Sequence, residues 1–162
     1  MAHPDIPVTT AVRALREARV PFEPMLYPYE EHGGTAHAAA SLAVPEHHVI
    51  KTLVFETDGR KPLIVLMHGD REVSTKQLAR TIGVKQVHPC DTATAQRLTG
   101  YTVGGISPFG TRSRLPVYVE RTILSLPRIY VNGGKRGFLV AIEPQDLIRV
   151  LAPTPADVAI AP

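Results

Sequence analysis

The 162-residue chain lacks several things, and each absence removes a class of protein. It has one cysteine, Cys90, so neither an intramolecular disulfide framework nor a cysteine-based zinc cluster is available. It has no tryptophan, and aromatics make up only 6% of the chain. Its apolar runs, such as Leu63–Met67, are far too short to span a bilayer. The first residues, MAHPDIPVTT, carry no basic stretch followed by an apolar core, so no signal peptide is expected. Walker A and G-x-G-x-x-G loops are missing, and so is H-E-x-x-H. The seven histidines show no metal-ligand spacing, and no Ser-His-Asp arrangement is visible. What remains is a soluble domain for a reducing, cytoplasmic setting, with no membrane partner.

A 44% apolar, 20% charged composition is that of a globular chain, and at this length it fills one core. The expected organisation is one domain over residues 1–162, with flexible ends at 1–7 and 152–162. The net charge of +3 is unevenly spread. Residues 1–50 carry six acids and three bases. Residues 111–136 carry Arg112, Arg114, Arg121, Arg128, Lys135 and Arg136 against Glu120 alone. Such a stretch is either a polyanion surface or an ordinary solvated face, and charge alone favours the latter.

Local signals alternate between periods. Thr9 or Thr10 can cap a helix whose Val12, Leu15 and Ala18 share a face, before Pro21. PFEPMLYPY reads as extended, and THAAASLAV as helical. KTLVFETDGRKPLIVLMHG reads as a β-hairpin turning at Asp58-Gly59. Ser74-Thr-Lys-Gln77 is a capping box for a helix ending at Gly83, and Asp91 caps another ending at Gly100. VKQVHP and RLPVYVE are strand candidates. RIYVNGGKRGFLVAI is a second hairpin, turning at Gly133-Gly134 or just beyond. Pro144 opens a last helix, and APTPADVAIAP is expected to fray. The fold class is therefore α/β, without strict βαβ alternation.

Three constellations can carry chemistry. Gly100-Tyr-Thr-Val-Gly104-Gly105-Ile106-Ser107-Pro108-Phe-Gly110 dictates an irregular backbone. Its glycine N–H groups can face a carbonyl oxygen or oxyanion, and a tight helix–strand connection is the equal alternative. Lys51-Thr52, at the mouth of a strand, can hold a phosphate or polarise a carbonyl, although most such lysines are surface residues. Gly133-Gly134-Lys135-Arg136-Gly137 suits a turn that presents charge to phosphate, or a plain hairpin turn. Cys90, with His88 two residues before it, is a tempting nucleophile, but a lone cysteine is usually a small buried apolar residue.

In this order and at these spacings, the three motifs together resemble the YbaK/EbsC group of aminoacyl-tRNA deacylases, the free-standing relatives of the prolyl-tRNA synthetase editing domain. The likeness runs from the first helix to about residue 151, and the G-Y-x-V-G-G-I-S-P form is closest to the Cys-tRNA(Pro) branch. It implies a single-domain, mixed and largely antiparallel sheet forming a barrel-like core with surrounding helices. It also implies cleavage of the aminoacyl ester of mischarged tRNA(Pro), without cofactor or metal. Lys51 would fix the substrate near the terminal adenosine, while Gly104 and Gly105 hold the acyl carbonyl and its oxyanion. Phe22, Tyr29, Thr52, Ile106, Ser107, Pro108, Asn132, Gly133 and Gly134 would bind substrate. Arg112, Arg114, Lys135 and Arg136 would meet tRNA phosphates. In the cysteine branch the substrate's own thiol would attack, a lyase-like step. The partners implied are aminoacylated tRNA(Pro) and prolyl-tRNA synthetase, with a monomer or weak homodimer. Two positions depart from the pattern: Asn132 stands where a hydroxyl residue is usual, and Leu139 where some members have an acid. They leave room for a non-catalytic tRNA- or synthetase-binding module of the same fold.

Overall fold

The computed structural model describes residues 6–160. Its helices are α1 (Thr10–Glu17), α2 (Gly34–Leu42), α3 (Thr75–Ile82), α4 (Thr92–Thr99) and α5 (Pro144–Leu151). Its strands are β1 (Glu23–Leu26), β2 (Ile50–Thr57), β3 (Pro62–His68), β4 (Glu72–Val73), β5 (Val87–Pro89), β6 (Val117–Glu120), β7 (Ile129–Lys135), β8 (Phe138–Ile142), β9 (Thr154–Ala156) and β10 (Ala159–Ile160). Short 3-10 turns occupy Glu46–His48 and Arg121–Ser125. The strands form a five-stranded sheet in the order β5-β2-β3-β6-β9, a three-stranded sheet β1-β8-β7, and the pair β10-β4. Among the described strands β3–β6 and β6–β9 pair in parallel, and a single parallel bridge joins Val49 to Tyr130 of β7. This is a mixed α/β single domain, largely antiparallel, as expected.

Capping chemistry sets the helix starts. The side chains of Thr9, Ser74 and Asp91 accept from the N–H groups of Val12, Gln77 and Thr94. The first helix ends before Pro21 is reached, because Arg19 turns left-handed at φ 57°. The Asp58-Gly59 hairpin forms with a longer turn, closed by Thr57 N–H on the Lys61 carbonyl, and Arg60 takes the positive φ. The second hairpin turns beyond its glycine pair. Gly133 and Gly134 lie within β7, where the register with β8 shifts between Asn132 and Lys135. The chain end expected to fray is instead paired, β9 on β6 and β10 on β4, with Ala156 and Val158 buried. Residues 1–5 and 161–162 of the expected flexible ends lie outside the described residues.

Both larger sheets turn a face to one core. Ile50, Val54, Ile64, Leu66 and Val119 meet Ile129, Val131, Phe138, Val140 and Ile142, with Val12 and Leu15 of α1 against them. The opposite face of β2 and β3 packs Phe55, Leu63, Val65 and Met67 on Leu78 and Ala79 of α3. Since side chains alternate along a strand, Lys51 belongs to the α3 side of β2 and Thr52 to the main-core side. Beneath α2, a third cluster joins Ala38, Ala39, Val49 and Leu139.

Candidate active site

The end of β2 opens onto a cavity of about 760 Å³. Its floor is β2 from Val49 to Phe55. Its walls come from Tyr27, Tyr29 and His37 on one side and Cys90, Ala95, Val103, Gly104 and Ile106 on the other. Asn132, Arg136 and Leu139 of the second hairpin complete it. The sheet leaves room here because β5 pairs with β2 only at Phe55–Thr57, and the bridge to β7 is at Val49.

Lys51 brings a cation to this site from β2. Its side chain is 18% exposed, and Nζ donates to the Arg71 carbonyl at 2.5 Å, with Glu72 Oε1 at 3.5 Å. The Gly69–Arg71 turn supplying that carbonyl is held in turn. Gly69 N–H donates to Val49, Thr35 Oγ1 to the Gly69 carbonyl, and Asp70 pairs with His47 at 2.8 Å. Thr52, next along the strand, carries a buried hydroxyl with no hydrogen-bond partner among the described residues.

The glycine loop reaches the cavity through Gly104 and Ile106. Gly104 has φ +94°, and a Cβ there would stand 2.9 Å from the Tyr29 hydroxyl and 3.2 Å from Arg136 Nε. Its N–H has no acceptor among the described residues. The Gly105 N–H is already given to the Thr102 carbonyl at 2.8 Å, closing a turn. A Cβ on Gly105 would lie 2.7 Å from the Arg136 nitrogen, so this glycine serves the approach of two backbones. Of the pair expected to share an oxyanion, Gly105 has its N–H already engaged, and Gly104 has its N–H without an acceptor among the described residues.

Other expected positions fall outside the cavity. Ser107 is fully buried, and its Oγ accepts from the Phe109 N–H. Pro108 does not line the cavity, and Phe22 packs against the main core. Gly133 leaves space for the Phe138 ring, and Gly134, at φ +96°, for Tyr101 and Thr9. Asn132 does line it, but as a knot. Oδ1 accepts from the N–H groups of Gly134 and Lys135, and Nδ2 donates to the Gly104 carbonyl at 3.3 Å. Arg136 also lines the cavity. Its Nε donates to the Val103 carbonyl, and its guanidinium lies 5.1 Å from the Tyr29 ring centroid. Arg112, Arg114 and Lys135 are exposed and outside it.

Cys90 lines the far wall. Burial first, then the carboxylates of Glu56 and Asp91, push its thiol up to about 11. It stays a thiol at neutral pH, which removes it as a thiolate nucleophile. Sequence reasoning missed the contribution of α2 (His37, Ala38), because a short Ala-rich helix gives no local sign of what it covers, whereas the resemblance pointed to Tyr27 or Tyr29, and both line the cavity. Among the described residues no group of three or more His, Cys, Asp or Glu could hold a metal ion. No helix there is long and apolar enough to cross a membrane.

Fold and cavity together define a class: a small mixed α/β domain whose site offers one partly buried ammonium, a main-chain donor and an arginine at its rim. Residues 30–150 match the family described as aminoacyl-tRNA editing domain, and the chain belongs to that family, whose work is translational proofreading. Among its relatives is the "Putative Cys-tRNA(Pro)/Cys-tRNA(Cys) deacylase EbsC" of Enterococcus faecalis, 28% identical over 86% of each chain. A proline--tRNA ligase of Desulfovibrio desulfuricans is 37% identical over 50% of this chain, which corresponds to 14% of that enzyme. A solved structure titled "a putative trans-editing enzyme for prolyl tRNA synthetase" shares the fold at TM-score 0.81 and 21% identity, covering 99% of this chain and 100% of that one.

Proposed function

We propose that this chain is a trans-editing deacylase that cleaves the aminoacyl ester of mischarged tRNA(Pro), with cysteine as the amino acid released. The observation that supports this reading is Lys51, a partly buried cation lining the same cavity as Gly104, in a cavity whose cysteine is not activated. The Lys51 ammonium anchors the substrate near its terminal adenosine. The Gly104 N–H takes the charge that grows on the carbonyl oxygen.

The bond broken joins the acyl carbon to the ribose oxygen. In direct hydrolysis water supplies the new C–O bond, and the proton it releases ends on the ribose oxygen. With a cysteinyl ester the substrate sulfur can form the new bond instead. The thiol proton then ends on the ribose oxygen, and the thiolactone formed is opened by water. Intramolecular attack draws on high effective molarity, so the protein supplies positioning and charge stabilisation alone. Arg136 at the rim and Arg112, Arg114 and Lys135 outside it meet the phosphates of the acceptor stem. Editing after charging restores an accuracy that a difference of about 1–3 kcal/mol in binding small side chains cannot provide. Prolyl-tRNA synthetase is the enzyme whose errors it corrects, and the compartment is the cytoplasm.

The test is release of amino acid from Cys-, Ala- and Pro-charged tRNA(Pro). Fast release from the cysteinyl ester with the prolyl ester spared is expected. Salt-sensitive tRNA binding without release from any of the three would replace the enzyme by a non-catalytic binding module.

A further inference from the structure

We propose that Asp70 and His47 are positioning residues for Lys51: their pair fixes the turn whose last carbonyl holds the ammonium. The inference rests on the deacylase reading, which needs that ammonium at one place, and adds the two residues that place it.

A lysine head rides on a flexible stem, so its place is set by what accepts from it. Lys51 pairs with Met67 in the β2–β3 register, and its Nζ reaches past the end of β3 to the Arg71 carbonyl at 2.5 Å. Its other neighbour, the Glu72 carboxylate at 3.5 Å, belongs to a side chain 82% exposed and fixes little. A neutral carbonyl orients the ammonium and leaves its charge uncompensated for a substrate. Where Lys51 points is therefore set by where the turn of residues 69–71 lies.

Main-chain bonds hold the entry to that turn. Gly69 N–H donates to the Val49 carbonyl at 2.6 Å, and Arg71 N–H to the His68 carbonyl at 3.1 Å. Asp70 ties down the rest. Its Oδ1 accepts from His47 Nδ1 at 2.8 Å, and its Oδ2 from the Arg71 guanidinium at 3.1 Å. A carboxylate only accepts, so His47 carries a proton on Nδ1. The His47 ring is itself held, flat on the ring of buried His68, with centroids 3.7 Å and planes 5° apart. His68 lies 2.7 Å from the His47 carbonyl through Nδ1 and 2.7 Å from Thr122 Oγ1 through Nε2. A line of contacts thus runs from the core through His68, His47 and Asp70 to the carbonyl that receives Lys51. Neither His47 nor Asp70 lines the cavity, so the pair reaches the site through Lys51.

The experiment reads the ammonium itself beside the rate. In protein with 15N-labelled lysine, the Lys51 ammonium is expected to give its own 1H–15N signal, assigned by its loss in Lys51→Ala. Asp70→Ala and His47→Ala are each expected to fold, since the paired side chains are 32% and 36% exposed, and to lose that signal. Each is expected to lose about tenfold in kcat on cysteinyl-tRNA(Pro), with KM within about twofold, because the arginines outside the cavity still bind the tRNA. His47→Asn, which keeps an N–H donor near the place of Nδ1, is expected to keep the signal and to stay within about threefold of the wild-type rate. Thermal melts show that each variant is folded at the assay temperature. A wild-type rate or an unchanged signal in folded Asp70→Ala would overturn the assignment and leave the deacylase intact. So would equal losses by His47→Asn and His47→Ala, and these two variants decide if Asp70→Ala does not fold. No release from any ester by the wild type would overturn the deacylase reading and this use of Lys51 with it, whatever the signal shows.

Discussion

Cys90 shows how a residue's surroundings decide what its chemistry can be. From sequence, a cysteine two residues after a histidine invites a nucleophile. In the structure His88 pairs outward with Glu56, and that same carboxylate helps push the thiol up to about 11. Thr52 is the converse case, a residue of ordinary chemistry made conspicuous by lacking a partner. Replacing Cys90 by serine is therefore expected to leave the deacylation rate within about twofold, since no thiolate is being used. A steady-state rate on cysteinyl-tRNA(Pro) checks it, and a large loss would restore the cysteine as a participant. Lys51 was legible from its place at a strand mouth beside a hydroxyl. The role of Asn132 was not, because one of its three hydrogen bonds reaches the Gly104 carbonyl, 28 residues away in sequence, while the other two hold its own turn.

Between elements, buried polar links set the architecture. Glu120, at the end of β6, accepts from Val158 and Ala159 N–H through one oxygen and from Thr122 N–H and hydroxyl through the other. That explains why the Pro- and Ala-rich end is ordered. Its own composition promises little, but a carboxylate 38 residues earlier gathers it against the sheet. Burial alone would raise the Glu120 carboxyl. The Thr122, Val158 and Ala159 donors outweigh it and hold the group below its ordinary value. Beside it His68, buried and bonded to Thr122 and the His47 carbonyl, is lowered by burial. Both shifts have one sign in stability. A carboxyl lowered in the folded state stabilises above its unfolded pKa and loses that contribution as pH falls through the folded value. A lowered histidine likewise makes the unfolded chain the better proton binder, so acid again weakens the fold. Glu120→Gln is expected to cost about 2 kcal/mol near neutral pH, and less as acid protonates the wild-type group. Thermal melts of both proteins across pH check it, and a gap that widens in acid would contradict it. The hairpins and caps were readable locally. The parallel pairing of β6 between β3 and β9 was not, since it is set by contacts distant in sequence.

For the whole molecule, charge and cavity belong to one account. The basic stretch read from residues 111–136 separates in three dimensions. Arg136 turns to the cavity rim, Arg128 pairs with Glu23, and Arg121 with Asp157. Arg112, Arg114 and Lys135 remain exposed. Arg114→Ala is accordingly expected to weaken tRNA binding at low salt and to reduce the slope of log affinity against log salt by about one. Arg121→Ala, whose charge is paired, should change that slope less. Equal slopes for wild type and Arg114→Ala would take this arginine out of the phosphate contacts. The central claim is that a cavity without a nucleophile cleaves an ester by positioning it against Lys51. The most direct measurement is the rate of cysteine release from cysteinyl-tRNA(Pro) by wild type and Lys51→Ala, with a thermal melt to show that both are folded. The account predicts a folded variant slower by about a hundredfold or more. A folded Lys51→Ala protein that releases cysteine at the wild-type rate would contradict it.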